Sequence, residues 1–502
     1  MNAEEVAAVA QAPAVVADGL SLVRRLCHEL RTANVTYCHW KSNTALERSA
    51  WGDNDLDLLV LRRDAQRFTE ILIRLGFKEA RPPSVREVPG VLHYYGLDTD
   101  SGRLVHVHSQ YELVLGDDTT KNYRLPIEAA YLAAAVPGPL FTVPTPEFEL
   151  VVFVVRMMVK HATWDALLSG RGSLSRSERG EHADLVRRAD PAVVRRIVDR
   201  HLPSLGAEFW ERCAACLDTA TPARVRARTA RDLQQRLAGD ARRRRGSDTA
   251  LRVWRRGSWG VQRVVRRRRT PKRLASGGGV VAIVGGDGAG KSSAVEGLSA
   301  WLSGAFAVKD VHMGKPPRSM TTLAVKGSMA VGRRMGLFPS VRDAYATPAG
   351  ADGNPPGRSW LAWHTLKARD RYREYARMRR FAGRGGIVVC DRFPLPALRL
   401  MDGPRTTWAL ELPALDRFGR FLAEQEKRYY ERIYLPDLLV VLRLDPDLAV
   451  RRKYDEEPGY VRRRSEEIWQ LDWTNTPAAV VDAAQDRAAV LAEIKALVWS
   501  RL

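Results

Sequence analysis

Eight consecutive residues, Gly285-Gly286-Asp287-Gly288-Ala289-Gly290-Lys291-Ser292, satisfy the pattern G-x-x-x-x-G-K-[ST] at every position. Their types suit phosphate chemistry. Glycines let successive backbone N–H groups turn inward around a β-phosphate, at a helix N-terminus that already favours anions. Lys291 can reach the β- and γ-phosphates of ATP, and the Ser292 hydroxyl can ligate Mg²⁺, with Ser293 opening the helix that follows. A second constellation lies far upstream. Asp55-Leu56-Asp57-Leu58-Leu59-Val60 alternates acid and apolar residues. On a strand that alternation turns Asp55 and Asp57 to one face, where two carboxylates can share a divalent metal. In Val105-His106-Val107-His108, His106 and His108 also share a face, able to ligate a metal or bind phosphate, or simply to pack as structural histidines.

These residues need elements to hold them. The apolar run Val280 to Val284 predicts a strand before the glycine-rich loop, and Ser293 to Leu302 an amphipathic helix after it, the context the motif requires. Leu438 to Leu444 reads as a further buried strand. Upstream, Leu20 to Leu30 has helical spacing, Leu56 to Leu61 reads as a strand, Phe68 to Leu75 as a helix and Leu104 to Val107 as another strand. Thr145-Pro146-Glu147 has the form of a helix start, and the chain is mostly helical from there to about Arg236, broken by a Gly/Ser/Arg-rich loop, Ser169 to Arg179. Ser276 to Gly279 is expected as a flexible hinge and Thr347 to Gly357 as a mobile loop. The expected organisation is an α/β protein in four parts: an α+β domain over 20–144, a helical region over 145–240, a basic linker over 241–279, and a P-loop domain over 280–502 with a parallel sheet and flanking helices.

From about residue 280 onward the sequence resembles thymidylate kinases. The loop reads G-x-D-G-x-G-K with Asp287 inside it; Asp370-Arg371-Tyr372 matches an Asp-Arg-Tyr stretch on a helix; and Gly386 to Phe393 matches a strand ending in Asp-Arg-[Tyr/Phe]. The resemblance implies that this last strand is a parallel neighbour of the P-loop strand, with its end where open α/β sheets place ligands. Asp391 would then approach Mg²⁺ and its waters, and Arg392 would steady the acceptor phosphate, with Asp287 and Arg371 facing the acceptor nucleotide. Arg451-Arg452-Lys453 and Arg462-Arg463-Arg464 resemble the arginine-bearing lid of these kinases, which makes Arg451 and Arg462 candidates for stabilising the charged transition state. The acceptor side departs from the family. Where thymidylate kinases carry Arg-Glu-Pro-Gly, this chain reads His312-Met313-Gly314-Lys315-Pro316-Pro317-Arg318, leaving Lys315 as the basic candidate, and an insertion over about Met320 to Ser359 follows. The acceptor is therefore open between a nucleoside monophosphate, another nucleotide, a sugar and a lipid-linked headgroup.

Residues 35–115 resemble the minimal nucleotidyltransferase fold, in which a small-residue turn precedes an acidic pair on a strand. Here the turn is Lys41-Ser42 rather than Gly-Gly or Gly-Ser, and His106 stands at the third acidic position. The resemblance implies a metal on Asp55 and Asp57; the missing acid implies binding without turnover.

The formal net charge of +22 is concentrated: Pro222 to Arg273 holds 19 Lys/Arg against three Asp. Arginines around Leu251, Trp254, Val261 and Val265, with Trp259 nearby, suit an anionic membrane surface better than nucleic acid, although Gly257 and Gly260 argue against one continuous helix. Five cysteines make no disulfide framework, and Cys213 and Cys216 read as buried helix residues rather than a zinc or redox pair. Glu4 and Glu5 stand where a secretion signal needs cations, so the expected location is cytoplasmic, with peripheral membrane attachment through 241–273. The chain thus reads as an ATP- and Mg²⁺-dependent phosphotransferase. The alternatives are a nucleotidyltransferase with the P-loop domain as a switch, and a non-enzymatic nucleotide-binding protein at a membrane surface.

Overall fold

The computed structural model describes residues 18–502 apart from Pro89, 169–171, Thr219, 267–270, 335–354, Ala397, 399–402 and Asn475. The chain divides into two units, one ending at Thr270 and the other beginning at Pro271. It is mixed α/β throughout.

In the first unit, β1 (Tyr37–His39), β2 (Leu56–Val60), β3 (Lys78–Arg81), β4 (Val91–Asp98) and β5 (Arg103–Gln110) run side by side in the order β1-β2-β5-β4-β3. The β2–β5 pair is parallel, with Asp57 opposite His108, and the other pairs are antiparallel. Leu56, Leu58 and Val60 alternate inward with Val105 and Val107 onto α1 (Ser21–Thr32) and α2 (Ala65–Arg74). Asp55 and Asp57 therefore share the opposite face. A second core forms around α3 (Pro146–His161), which begins at the expected proline. This helix is buried along nearly its whole length among α4 (Arg176–Arg188), α5 (Pro191–His201), α6 (Ala207–Ala215) and α7 (Ala223–Arg236). Its polar residues Glu149, Arg156, Lys160 and His161 are exceptions that need partners. Cys213 and Cys216 are both buried, and burial pushes the Cys213 thiol up to about 12.

The second unit is a five-stranded, wholly parallel sheet: β6 (Gly279–Gly285), β7 (Val308–His312), β8 (Ile387–Asp391), β9 (Leu438–Arg443) and β10 (Ala478–Asp482), in the order β7-β8-β6-β9-β10. Apolar runs such as Val280 to Val284 are buried on both faces, as a parallel sheet between helices demands. The helices are α9 (Lys291–Ser303), α10 (Arg358–Ala382), α11 (Arg417–Glu431), α12 (Pro446–Arg452), α13 (Pro458–Gln470) and α14 (Arg487–Arg501), and Met320–Arg334 is also helical. The expected mobile loop at Thr347 to Gly357 falls mostly outside the described residues.

Two expectations need correcting. Ser276 to Gly279 is built into the second unit, not a free hinge: Gly278 N–H donates to Ala382 O at 2.9 Å, and a Cβ there would lie 1.7 Å from Gly386 O. The basic segment is also a continuous helix, α8 (Arg245–Arg266), through Gly257 and Gly260. Each glycine costs about 1 kcal/mol of helix propensity. Docking of the first half outweighs that cost: Asp248, Arg252 and Arg255 are buried, Arg255 donates to Thr119 O, and Arg256 pairs with Asp117. Just before the helix, Asn122 and Arg243 exchange bonds of 3.0 and 2.9 Å. Part of this charge is thus spent inside the first unit, where Arg255 and Arg256 clamp the loop Asp117–Asn122. Val253 and Trp254 remain exposed; the ring of Trp259 lies outside the described side chains.

Arg256→Ala would leave the nearly buried Asp117 carboxylate without its cation, a loss on the order of 3 kcal/mol. Hydrogen exchange should then show amides 119–122 losing protection while those of β6 and β8 keep theirs; unchanged protection at 119–122 would contradict the clamp.

Candidate functional site

Strand β6 ends at Gly285 and α9 begins at Lys291, so the intervening loop wraps the helix N-terminus, whose first-turn N–H groups have no intrahelical acceptors. Gly288 (φ +78°) and Gly290 (φ +83°) adopt left-handed backbone that other residues resist. Gly286 and Gly288 have a second duty. A Cβ on Gly286 would meet Ser465 Oγ at 2.7 Å, and one on Gly288 would meet Ala449 O at 2.9 Å, so α12 and α13 close directly onto the loop. Ser292 is exposed at the helix start, Ser293 is half-buried, and Ala289 is buried under the turn.

Asp287 is the hub of the charges. It is buried, and three cations from three elements surround it: Arg464 Nη1 at 2.8 Å, Lys291 Nζ at 3.8 Å and Arg392 Nη2 at 3.9 Å. Lys291 also donates to Gly286 O at 2.6 Å. Burial pushes the Lys291 ammonium down to about 8; Asp287 opposes the shift, while Arg392 and Arg464 add to it. Arg392 has φ +58°, a backbone strain of about 1–3 kcal/mol that turns its side chain back toward the P-loop.

Register brings Asp391 alongside. Ile283 of β6 pairs with Asp391 of β8, so the carboxylate sits at the C-terminal end of the strand next to the P-loop strand. Its Oδ2 is 3.7 Å from His312 Nε2, whereas Oδ1 is buried with no hydrogen-bond partner among the described residues. A buried carboxylate oxygen left in that condition fits a cation, and with the exposed Ser292 hydroxyl the donor set suits Mg²⁺.

Other sequence-identified residues are placed differently. Arg371 is buried, donating to Met313 O at 3.0 Å and to the Tyr430 hydroxyl; it fixes the turn after β7 and with it His312. Asp370, also buried, accepts from Ser319 N at 3.2 Å. Lys315 is exposed. Of the lid cations, Arg451 is exposed and Arg462 pairs with Asp447, while Arg464 is the one that reaches the site. Arg464 belongs to the cluster read as a lid, but the run Arg462-Arg463-Arg464 does not reveal which of the three points inward.

In the first unit, Asp55 and Asp57 share a face as expected, and both are already engaged. His106 Nδ1 is 2.7 Å from Asp55, while Lys41 Nζ and His108 Nδ1 lie 2.9 and 2.8 Å from Asp57. His93 Nδ1 in turn faces His106 Nε2 at 3.1 Å. Sequence reasoning missed three further residues here: Asp118, Lys121 and Lys160. Asp118 lies 3.0 Å from Lys121 Nζ and 3.6 Å from Lys160 Nζ, and Lys160 also meets Glu178 at 3.0 Å. The available signal was a pair of cations, Arg156 and Lys160, spaced four apart on an otherwise apolar helix.

Comparison with protein-family models and with curated proteins gives no match. Among the described residues no helix is long and apolar enough to cross a membrane.

The depressed Lys291 makes a pH test possible. A bound polyphosphate favours the ammonium and must raise its pKa, so binding near pH 8.5 should take up a proton, and affinity should fall as pH rises through 8. Calorimetry of ATP binding in buffers of different ionisation enthalpy would report the uptake. Its absence from wild type, or its persistence in Lys291→Ala, would assign the shift elsewhere.

Proposed function

We propose that the second unit is an ATP- and Mg²⁺-dependent phosphotransferase of the nucleoside-monophosphate kinase kind, moving the γ-phosphoryl group of ATP to a phosphate or hydroxyl of a small acceptor. One observation carries the reading: Lys291, Arg392 and Arg464, from the P-loop helix, the neighbouring strand end and the lid-like helix, converge on Asp287 at the mouth of the P-loop. Phosphoryl transfer passes through a transition state whose charge spreads over the transferring oxygens, and cations held in place beforehand stabilise it without reorganisation. Gly285 to Ser293 would cradle ATP. Ser292 and Asp391 would hold Mg²⁺, which neutralises phosphate charge. Arg392, on strained backbone between the P-loop and the His312 turn, is the residue proposed to bridge donor and acceptor. Arg371 acts through that turn as a positioning residue. Lys315, exposed in the turn after β7, would meet the acceptor, and Trp254 with Val253 offers the exposed apolar pair for peripheral attachment to an anionic bilayer.

An ADP-release screen over nucleoside monophosphates and sugars tests the reading. Lys291→Ala should lower turnover on the order of 10³-fold with the fold retained. Wild-type turnover in that variant, or no ADP release with any acceptor, would count against the assignment.

The two acceptor-side arginines should separate. Arg392→Ala should raise the acceptor KM more than the ATP KM. Arg371→Ala should also lower thermal stability, because it releases the Met313–Gly314 turn. An effect of Arg392→Ala confined to the ATP KM would put that residue on the donor side.

A further inference from the structure

The nucleotidyltransferase resemblance implies a divalent ion on Asp55 and Asp57, and the residues present do not fit one. Asp57 faces an ammonium and an imidazole, and Asp55 faces an imidazole. An ionised carboxylate only accepts hydrogen bonds, so the Nδ1 atoms aimed at these oxygens carry the protons and cannot ligate a metal. The His93 contact also ties up the second nitrogen of His106.

Three ammonium groups also meet near this face, each beside a carboxylate: Lys41 at Asp57, Lys121 at Asp118 and Lys160 at Glu178. Lys41 follows β1, Lys121 lies in the loop Asp117–Asn122, and Lys160 is near the end of α3; all three act on Asp118. Burial works against its ionisation, yet the ammonium groups of Lys121, Lys160 and Lys41 hold Asp118 down at about 2. The Asp118 side chain is nevertheless 62% exposed, so the cluster is open to water. Burial and the two neighbouring ammoniums lower the pKa of Lys121, and Asp118 opposes that shift, while against burial Asp118 and Glu178 raise the pKa of Lys160.

Strain points to the same place. Among the described residues, four non-glycine residues have positive φ: Asn34, Ser42, Lys121 and Arg392. Arg392 belongs to the P-loop site, Lys121 is one of the three lysines, and Ser42 is next to Lys41. Strained backbone of this kind persists where surrounding structure over-determines it, and it clusters at ligand sites. Here the bracing is visible. Asp117 accepts from Thr119 N at 2.9 Å, and Arg255, Arg256 and Arg243 hold the loop from the basic helix and its approach.

We infer that the first unit binds a phosphate-bearing small molecule at this cluster without a divalent metal, Lys41 occupying the side of Asp57 where the resemblance implies the ion. Lys121 and Lys160 are the phosphate ligands, and Asp118 is the counter-ion that the phosphate displaces.

The test uses the full-length protein carrying Lys291→Ala, which cripples phosphate binding at the P-loop, with inorganic pyrophosphate as the probe and EDTA in excess. Titration calorimetry should show saturable binding. Adding Lys121→Gln or Lys160→Gln should weaken it roughly 10- to 100-fold, the range of a lost charge-assisted contact. Asp118→Asn removes the competing anion and should strengthen binding several-fold, a gain that misfolding cannot imitate. The inference fails if pyrophosphate binds only with Mg²⁺ or Mn²⁺ or not at all, if neither lysine substitution weakens it, or if Asp118→Asn weakens it.

Discussion

A carboxylate cut off from water must be met by positive charge or be neutralised, and Asp287, 5% exposed, is held under that constraint. Its three cations come from different parts of the second unit: Lys291 from the first turn after the P-loop, Arg392 from the end of β8, and Arg464 from the middle of α13. Each can be there only because larger features agree. The β6–β8 register puts Asp391 level with Ile283, so that Arg392 emerges just below the start of the loop at Gly285. The α12–α13 hairpin packs so tightly on Gly286 and Gly288 that Arg464 reaches across it. The buried pair is weak support for stability as such, because desolvation offsets much of the attraction. Its effect is geometric: strand end, loop and lid-like helix share one electrostatic centre.

The first unit handles charge in another way. Its basic helix looks, by composition, like a surface meant for polyanions, but the guanidinium groups of Arg255 and Arg256 are consumed by Thr119 and Asp117. An arginine that donates to a backbone carbonyl from a buried position cannot also meet a lipid headgroup. What those arginines do is hold a short loop in a conformation it would not keep alone, with Lys121 at φ +47°. A charge excess of that size therefore does not by itself identify a polyanion surface. Part of it is structural, set where a loop rich in acceptors and acids needs many donors.

How much of this could be read from the sequence depended on range. The P-loop was legible because its chemistry is local: eight residues in a row, an apolar strand before and a helix after. The Asp55–Asp57 face was legible for the same reason, since period-two alternation on a strand needs no partner to interpret. The failures have a common cause in rotation and distance. Successive residues on a helix point about 100° apart, so three adjacent arginines aim in three directions, and only packing against Gly286 decides that Arg464 is the inward one. Lys41, Lys121 and Lys160 are spread over 120 residues of sequence and meet only through tertiary structure. Gly257 and Gly260 misled because propensity is a weak prior, overridden once one face of a helix is buried.

The glycines of the P-loop carry one last consequence. Gly286 and Gly288 are needed for the approach of Ser465 and Ala449, and on the proposed reading the same missing side chains would let backbone lie close to phosphate. In the structure described here Arg464 compensates Asp287; a polyphosphate in the loop would present a second, more highly charged partner to the same guanidinium. Withdrawing α13 as a body would remove Arg464 from both and leave Asp287 with its two longer-range cations, at 3.8 and 3.9 Å. The buried aspartate thus opposes opening of the hairpin. Added phosphate charge opposes it further, because both anions favour the position in which the cation lies over the loop.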